Sequence, residues 1–186
     1  VSIDAMGGDG GVEPVIGGIS HSLRLNRQLQ FLIHGNEKQL EEKIKNYPHI
    51  LSSCSIVPCE SIIAMDEKPS SAIRSGKKSS MWSALNSLAK GSANIALSCG
   101  NTGALMAMSM MQLRKAPGVN RPAIAILWPS RNQRGFNIVL DAGADIKADS
   151  GDLLQYTLMG VEYAKMGFSI KMPRVGLLNV GTEIHK

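Results

Sequence analysis

Short apolar runs alternate with helical patterns along most of the chain. Strands are predicted at residues 1–5, 31–33, 55–57 and 95–97, and after most of them apolar side chains recur every three or four positions. That spacing places the apolar side chains on one face of a helix. Repeated strand–helix units favour an α/β fold, in which a mostly parallel sheet lies between two layers of helices.

The helical segments share an apolar stripe, and several have recognisable ends. The stripes are Val12, Ile16, Ile19 and Leu23; Leu40, Ile44 and Tyr47; Met81, Leu85 and Leu88; and Leu105, Met108 and Met111. Asn36 is a predicted N-cap with Gln39 as its capping-box partner, and Pro48 and Gly91 are predicted stops. Residues 62–79 interrupt the pattern because they are polar and concentrate charge.

The C-terminal third of the chain follows a different pattern. Predicted strands at residues 124–128 and 136–140 are separated by a loop too short for a crossover helix, so they should form an antiparallel hairpin. A last helix is predicted near residues 153–166, ending at Gly167, and a final strand at residues 175–180.

Length and composition indicate one soluble domain. The 186 residues are 44% apolar, enough for a core, and we expect a single α/β domain over residues 1–186. The chain contains no stretch like the ~20 apolar residues of a membrane span. Three cysteines cannot all pair with each other, so a disulfide framework is not expected, which fits a reducing cytosol. Cys54 and Cys59 have no second Cys/His pair, so no metal site is predicted. A net charge of +5 with only 4% aromatic residues does not indicate nucleic acid as a partner.

Ligands of such sheets bind outside the carboxyl ends of the strands, which selects residues 4–9, 98–103, 141–145 and 179–183. The strongest signal is at residues 98–104, where a strand ends, a glycine turns the chain and a helix begins. Backbone N–H groups and the helix dipole predict an anion site there, with Ser98, Asn101 and Thr102 as donors and close approach at Gly100 and Gly103. An ordinary N-cap made by Asn101 or Thr102 is an equally good interpretation.

Three further features each allow more than one interpretation. Asp4 and Asp9 could orient a substrate, bind a basic partner or act as a base, or they could cap a turn and the following helix. A basic cluster is either a solvated face or a docking patch for an acidic partner or an anionic cofactor, and its members are Lys68, Arg74, Lys77 and Lys78. Cys99 lies at a helix N-terminus, but no histidine is placed as its partner, so a small apolar role is favoured over nucleophilic catalysis.

Several motifs occur together in one order along the chain. They are DAMGGD at residues 4–9, MDEKPS at 65–70, KSSM at 78–81, GNTGA at 100–104, Asp141 with Gly143 and Ala144, Gln155 with Met159 and Gly160, and GLLN at 176–179. Together they resemble the bacterial phosphate acyltransferases of the PlsX type, over essentially the whole chain. Those proteins are considerably longer, so this chain looks like the N-terminal portion of such an enzyme.

The resemblance implies that acyl-(acyl-carrier-protein) and inorganic phosphate react to give acyl phosphate and free carrier, at the start of bacterial phospholipid synthesis. It implies a homodimer with no redox cofactor and the fold of the isocitrate and isopropylmalate dehydrogenases and phosphotransacetylases. It also implies a cytoplasmic enzyme, peripheral at the inner membrane face, that supplies a downstream membrane acyltransferase.

On this basis we assign roles by residue. Asp9, Lys68 and Asp141 are the predicted catalytic residues, with the two carboxylates orienting the site and a cation stabilising the oxyanion. Arg74, Lys77 and Lys78 are the predicted carrier-binding residues. The predicted phosphate- and substrate-binding residues are Gly7, Gly8, Ser79, Ser80, Ser98, Gly100, Asn101, Thr102, Gly103, Asn179 and Gly181.

Two departures from the family pattern qualify this assignment. Position 99 is commonly Ala in the family, so Cys99 is not expected to act as a nucleophile, and Asp145 stands where Asn is frequent. Two alternative functions stay open. One is a nicotinamide-dependent dehydrogenase of the same fold, although the chain lacks the dinucleotide fingerprint. The other is a non-catalytic docking module for an acyl carrier.

Overall fold

A four-stranded parallel sheet forms the centre of the first 114 residues. The computed structural model describes residues 1–120, 122–141 and 148–178, and the chain divides into two compact units, Val1–Arg114 and Lys115–Lys186. The first unit holds β1 (Ser2–Asp4), β2 (Phe31–Gly35), β3 (Cys54–Pro58) and β4 (Ala96–Ser98), in the order β3-β2-β1-β4. All three pairings are parallel, as the alternating pattern predicts. The direction of winding reverses at β1, so the switch point lies between β1 and β4.

The first unit also contains five helices. They are α1 (Val12–Leu25), α2 (Glu37–Ile44), α3 (Pro69–Ser75), α4 (Ser80–Ala89) and α5 (Thr102–Leu113), with 3-10 turns at Pro48–Ser53 and Gly76–Lys78. In the described residues, no helix is both long enough and apolar enough to span a membrane.

Alternate residues of β1 and β2 face different helices. Ile3, Phe31 and Ile33 belong to one core cluster with the buried stripes of α1 and α2. Ser2 and His34, on the other face, hydrogen-bond to α4. The predicted three-layer arrangement is therefore confirmed. A second cluster joins α3, α4 and α5, and its buried members are Ile63, Ala72, Met81, Leu85, Ala104 and Met108.

The second unit contains the predicted hairpin. β5 (Ala125–Pro129) and β6 (Phe136–Leu140) pair antiparallel. α6 (Ser150–Phe168) begins earlier than the stripe indicates because Asp149 and Asp152 form a reciprocal capping box at its start. Leu140 packs against Gly160 of this helix, where an ideal Cβ would lie 2.9 Å from Leu140 Cδ1.

Several local predictions are wrong. The polar segment contains α3, which the sequence pattern did not indicate, and α2 ends at Ile44 rather than at Tyr47. Asn36 caps α2 through Gln39 N, but its own N–H points to Met6 Sδ, so the capping box is not reciprocal. Met111, predicted to be buried, is 54% exposed in its unit.

The predicted last strand is also wrong as far as it is described. Residues 175–178 are not in a strand, and residues 179 and 180 lie outside the described residues. A strand needs a neighbour for its backbone groups, and an apolar run alone does not supply one.

The hydrogen bonds of the buried His34 fix its tautomer. Ser2 Oγ donates its only proton to the Ala84 carbonyl oxygen at 3.0 Å, so it must accept from His34 Nε2 at 2.8 Å. Nδ1 is then the acceptor for the Ser83 hydroxyl at 2.8 Å. Burial lowers the pKa of His34 to about 4, against an opposing effect of the Asp4 charge. A neutral imidazole therefore ties β1 and β2 to α4.

We expect the free energy of unfolding to fall as the pH is lowered from 6.5 towards 4, because in this window the unfolded state binds a proton at His34 and the folded state does not. The loss should reach about 3 kcal/mol. Urea unfolding at about pH 7 and about pH 4.5 measures it. His34→Asn should flatten the pH dependence, whereas His21→Asn, at an exposed position of α1, should not. Identical pH slopes in all three proteins would contradict this account.

Candidate anion-binding site

The segments that follow β1 and β4 meet at the switch point. An ideal Cβ on Gly7 would lie 2.8 Å from both N and Cα of Gly100. A Cβ on Gly8, whose φ is +95°, would lie 2.9 Å from the carbonyl oxygen of Cys99. Only glycine allows such close backbone approach without displacement. The structure thus brings together the two glycine-containing segments that the sequence singled out.

Asp4 is the buried centre of this junction. Its Oδ2 accepts from Ser98 Oγ at 2.7 Å, and its Oδ1 accepts from Met6 N at 3.3 Å. Ser98 Oγ in turn accepts from Gly100 N at 3.0 Å. The turn-capping interpretation of Asp4 is confirmed, and the same carboxylate orients the turn before α5. Because the Ser98 hydroxyl proton goes to Asp4, Ser98 shapes the site rather than donating to a ligand.

Asn101 joins the start of α5 to the segment that precedes α3. Its Oδ1 accepts from Ala104 N at 3.0 Å, which confirms the capping interpretation. Its Nδ2 donates to the carbonyl oxygens of Ala64, Met65 and Glu67 at 3.1, 3.0 and 2.8 Å. The two amide protons of Asn101 are thus shared among three carbonyl oxygens. A hydrogen bond from this side chain to phosphate stays a prediction, and it would have to replace one of these bonds.

The first turn of α5 has backbone donors close to the segment that carries Lys68. Ala104 N is capped by Asn101 and Leu105 N bonds to the Asn101 carbonyl, while the N–H groups of Thr102 and Gly103 have no helical acceptor. An ideal Cβ on Gly103 would lie 2.9 Å from Pro69 Cγ, so the segment carrying Lys68 lies against this turn. Lys68 is exposed and precedes the first residue of α3. Two N–H groups and the positive end of the helix dipole therefore lie close to the segment that carries Lys68.

The start of α4 borders the same site. Met81 Cε lies 3.0 Å from the position of a Cβ on Gly100. Ser79 caps the helix, donating to the Gly76 carbonyl oxygen at 2.6 Å and accepting from Trp82 N at 3.2 Å. Ser80 is completely buried, and its hydroxyl has no hydrogen-bond partner among the described residues. A buried hydroxyl without a partner is rare enough to require an explanation.

The basic cluster is a mixed surface rather than a uniform one. Lys78 Nζ lies 2.8 Å from Glu60 Oε2, and this bond together with the carboxylate charge raises the pKa of Lys78. Both side chains are about 70% exposed, so the pair adds little stability. Arg74 and Lys77 are exposed and make no ion pair within the described residues. These two cations are the better candidates for an acidic partner.

The roles of the other predicted catalytic residues stay predictions. Asp9 is exposed and does not cap α1, whose N-cap is Gly11 without a side-chain bond, so that capping interpretation is wrong. Asp141 belongs to the second unit, where its N–H donates to the Ile124 carbonyl oxygen at 2.9 Å. Asn179 and Gly181 lie outside the described residues.

The three cysteines differ in their surroundings. Cys99 is exposed beside the glycine segment, whereas Cys54 and Cys59 are partly buried. Burial raises the pKa of the Cys54 thiol to about 11 and also raises that of Cys59. Within the described residues, no group of three or more His, Cys, Asp and Glu side chains is arranged to hold a metal ion.

Comparisons with known proteins identify the family of this chain. Residues 1–186 match the family described as fatty acid synthesis protein. The chain belongs to this family. It is 54% identical to the phosphate acyltransferase of Paracoccus denitrificans, 53% to that of Roseobacter denitrificans and 54% to that of Cereibacter sphaeroides, in each case over the whole chain. The matches cover 50%, 52% and 50% of those proteins, so the chain spans about half the length of the curated relatives it matches. The resemblance drawn from the motifs is confirmed.

Proposed function

We propose that the protein to which this chain belongs is a phosphate acyltransferase that converts acyl-(acyl-carrier-protein) and inorganic phosphate to acyl phosphate and free carrier. The observation that carries the proposal is the meeting of the two glycine segments at the switch point, beside the N–H groups of Thr102 and Gly103. Such a helix N-terminus suits an anion. The similarity to two phosphate acyltransferases supports an acyltransferase that uses phosphate.

The reaction needs no covalent enzyme intermediate. A phosphate group loses its second proton near neutral pH, so the dianion is available as a nucleophile. One phosphate oxygen attacks the thioester carbonyl carbon, the C–S bond breaks, and the carrier thiolate leaves and takes up a proton. In this proposal the first turn of α5 holds the phosphate and Lys68 stabilises the oxyanion. Holding the reactants together supplies a further part of the acceleration.

The test uses the whole enzyme and measures acyl phosphate formed from phosphate and an acyl carrier substrate. Lys68→Met should lower kcat about 100-fold or more, as loss of an oxyanion donor does. Lys90→Met, at the exposed C-cap of α4, is the matched control. Carrier binding without turnover in the wild type would favour the docking module, and oxidation of a nicotinamide cofactor would favour the dehydrogenase.

The carrier contact is tested through Arg74 and Lys77. Replacing Arg74 and Lys77 with Glu should raise the KM for the acyl carrier substrate and reduce its salt dependence, because attraction between exposed charges is screened over about 8–10 Å. A carrier-free acyl thioester should be affected much less. Lys78→Glu alone should have a smaller effect, because Lys78 already pairs with Glu60. An unchanged salt dependence in the double variant would show that the cluster is only a solvated face.

Cys99 separates direct attack from covalent catalysis. If phosphate attacks the thioester itself, Cys99→Ala should keep kcat within a few-fold of the wild-type value. A nucleophilic thiol would instead make the variant lose activity by orders of magnitude. Steady-state rates measure this directly, and an acyl adduct trapped on Cys99, together with that loss, would refute direct attack.

The assembly and location of the whole protein are also proposals. A homodimer, a cytoplasmic location at the inner membrane face and transfer of the product to a membrane acyltransferase are supported by the resemblance alone.

A further inference from the structure

A second cavity lies on the same edge of the sheet as the candidate anion site. Its volume is about 140 Å³, and its walls come from segments that follow β1, β2 and β3. Met6 connects the two places, since it lines the cavity and immediately precedes Gly7. Its Sδ lies 2.8 Å from the position of a Cβ on Gly35, so the side chain crosses the end of β2. A ligand that extends from the switch point towards β3 would enter this cavity.

The lining of the cavity is neutral and amphipathic. Met6, Cys59 and Ile62 offer apolar surface, and the polar members Asn36, Gln39 and Ser61 carry no charge. Among the described residues of the lining, Glu60 alone is charged, and it is paired with Lys78 at 2.8 Å. Such walls contain no cation to balance the charge of a phosphate and are too polar for a purely aliphatic chain. They suit a flexible chain in which amide groups alternate with methylene groups.

The two ends of the cavity fit such a chain. At the Met6 end, the glycine segments provide the proposed reaction site. At the Glu60 end, the ion pair with Lys78 places the cavity next to the basic surface proposed to meet the acidic carrier. The arm that joins a carrier to its acyl thioester is a phosphopantetheine. Beyond the phosphodiester at its carrier end, this arm is a neutral pantetheine chain of amides and methylenes.

We propose that this cavity receives the amide-bearing part of the pantetheine arm, so that the thioester carbonyl reaches the glycine segments. The inference rests on the proposed function but is tested separately from it. It adds Met6, Cys59 and Ile62 to the residues that contact the substrate, and it sets the direction in which the arm enters, from the basic surface towards the switch point.

Two cysteines report on the two sites independently. Cys59 lines the cavity, and Cys99 is exposed beside the glycine segment. In the full-length enzyme with Cys54 replaced by Ala, alkylation of each thiol by N-ethylmaleimide is followed by mass spectrometry. Burial raises the pKa of the Cys59 thiol, so mildly alkaline conditions are used.

S-octanoyl-pantetheine, added without phosphate, should slow alkylation of Cys59 about tenfold or more at saturation. Inorganic phosphate alone should slow the alkylation of Cys99 and leave the alkylation rate of Cys59 unchanged. The proposal is overturned if S-octanoyl-pantetheine, at concentrations that saturate turnover, leaves the Cys59 rate unchanged.

A substitution that fills the cavity gives a second test. Ile62→Trp should raise the KM for S-octanoyl-pantetheine about tenfold with the phosphate KM unchanged. Ile62 is 53% exposed, so the larger side chain should not prevent folding. Leu51→Trp is the matched control, because Leu51 is 57% exposed and precedes β3 at its opposite end. Equal KM values in the two variants would overturn the inference.

The two proposals fail in different ways. If the wild-type enzyme makes no acyl phosphate while S-octanoyl-pantetheine still protects Cys59, the proposed reaction is wrong and the cavity assignment stands. If acyl phosphate forms but Cys59 is not protected, the reaction stands and the cavity assignment is wrong.

Discussion

In the Gly7→Ala variant, the reaction rate should no longer saturate with increasing phosphate concentration. The substitution should also lower the free energy of unfolding by about 3 kcal/mol. The added methyl group would lie 2.8 Å from Asp4 Oδ2 and 2.8 Å from the backbone of Gly100. Neither neighbour is a flexible side-chain end, because Asp4 is buried and bonded to both Ser98 and Met6. The two glycine segments must therefore separate, which breaks the site at its centre. Urea unfolding and phosphate titration of the rate measure the two effects.

Gly18→Ala is the matched control for this substitution. Gly18 lies inside α1, and a Cβ there would meet nothing within 4 Å. Replacing an unstrained helical glycine should stabilise the protein by about 0.5–1 kcal/mol and leave the phosphate KM unchanged. A Gly7→Ala variant with wild-type stability and phosphate KM would show that the two segments do not meet as described.

Asn101→Asp should destabilise the protein by about 3 kcal/mol, at least as much as Asn101→Ala. The Asp variant keeps an acceptor for Ala104 N, so the cap of α5 survives. However, it loses both amide protons and sets a carboxylate against the three carbonyl oxygens of the 64–67 segment. Substitution of a helix N-cap residue that removes only the cap costs about 1 kcal/mol. A destabilisation well above this value would identify Asn101 as the residue that holds the 64–67 segment.

Asn36 provides the control, because it caps α2 through Gln39 N and its Nδ2 makes no bond within the described residues. Asn36→Asp should be neutral or slightly stabilising, since a carboxylate is favourable at a helix N-terminus. The phosphate KM should rise in both Asn101 variants, because the segment carrying Lys68 is no longer held against α5. If Asn101→Asp were as stable as Asn36→Asp, the three carbonyl contacts would not contribute to stability.

Local patterns were reliable where a single element decides the outcome. The stripe of Val12, Ile16, Ile19 and Leu23 identified α1, and all four side chains are buried. The short loop between β5 and β6 indicated an antiparallel hairpin, and the structure has it. Local patterns were unreliable where contacts between different elements determine the structure. α3 has no apolar stripe, and it buries only Ala72, in the cluster with α4 and α5.

The candidate site shows the same limit. Glycines and small polar residues at a strand end predicted an anion site near residues 98–104 from local chain geometry alone. Sequence spacing did not reveal that Asp4 would orient Ser98, although both residues end strands. Their contact depends on the parallel register of β1 and β4, which pairs Asp4 with Ser98 across a long stretch of chain. His34 was likewise assigned to a strand end, and only its burial against α4 made it a neutral link between layers.

The sequence by itself determined the alternation of strands and helices, the family, and the two glycine segments, because periodicity and backbone conformation are properties of neighbouring residues. Only the tertiary structure decided which polar groups form hydrogen bonds within the fold and which have no partner there. In the structure, the amide protons of Asn101 bond to three carbonyl oxygens and the hydroxyl proton of Ser98 bonds to Asp4. The buried Ser80 hydroxyl has no partner among the described residues. The physical reason is that a hydrogen-bonding side chain has few protons and lone pairs, and the packed fold determines which neighbours lie within reach of them.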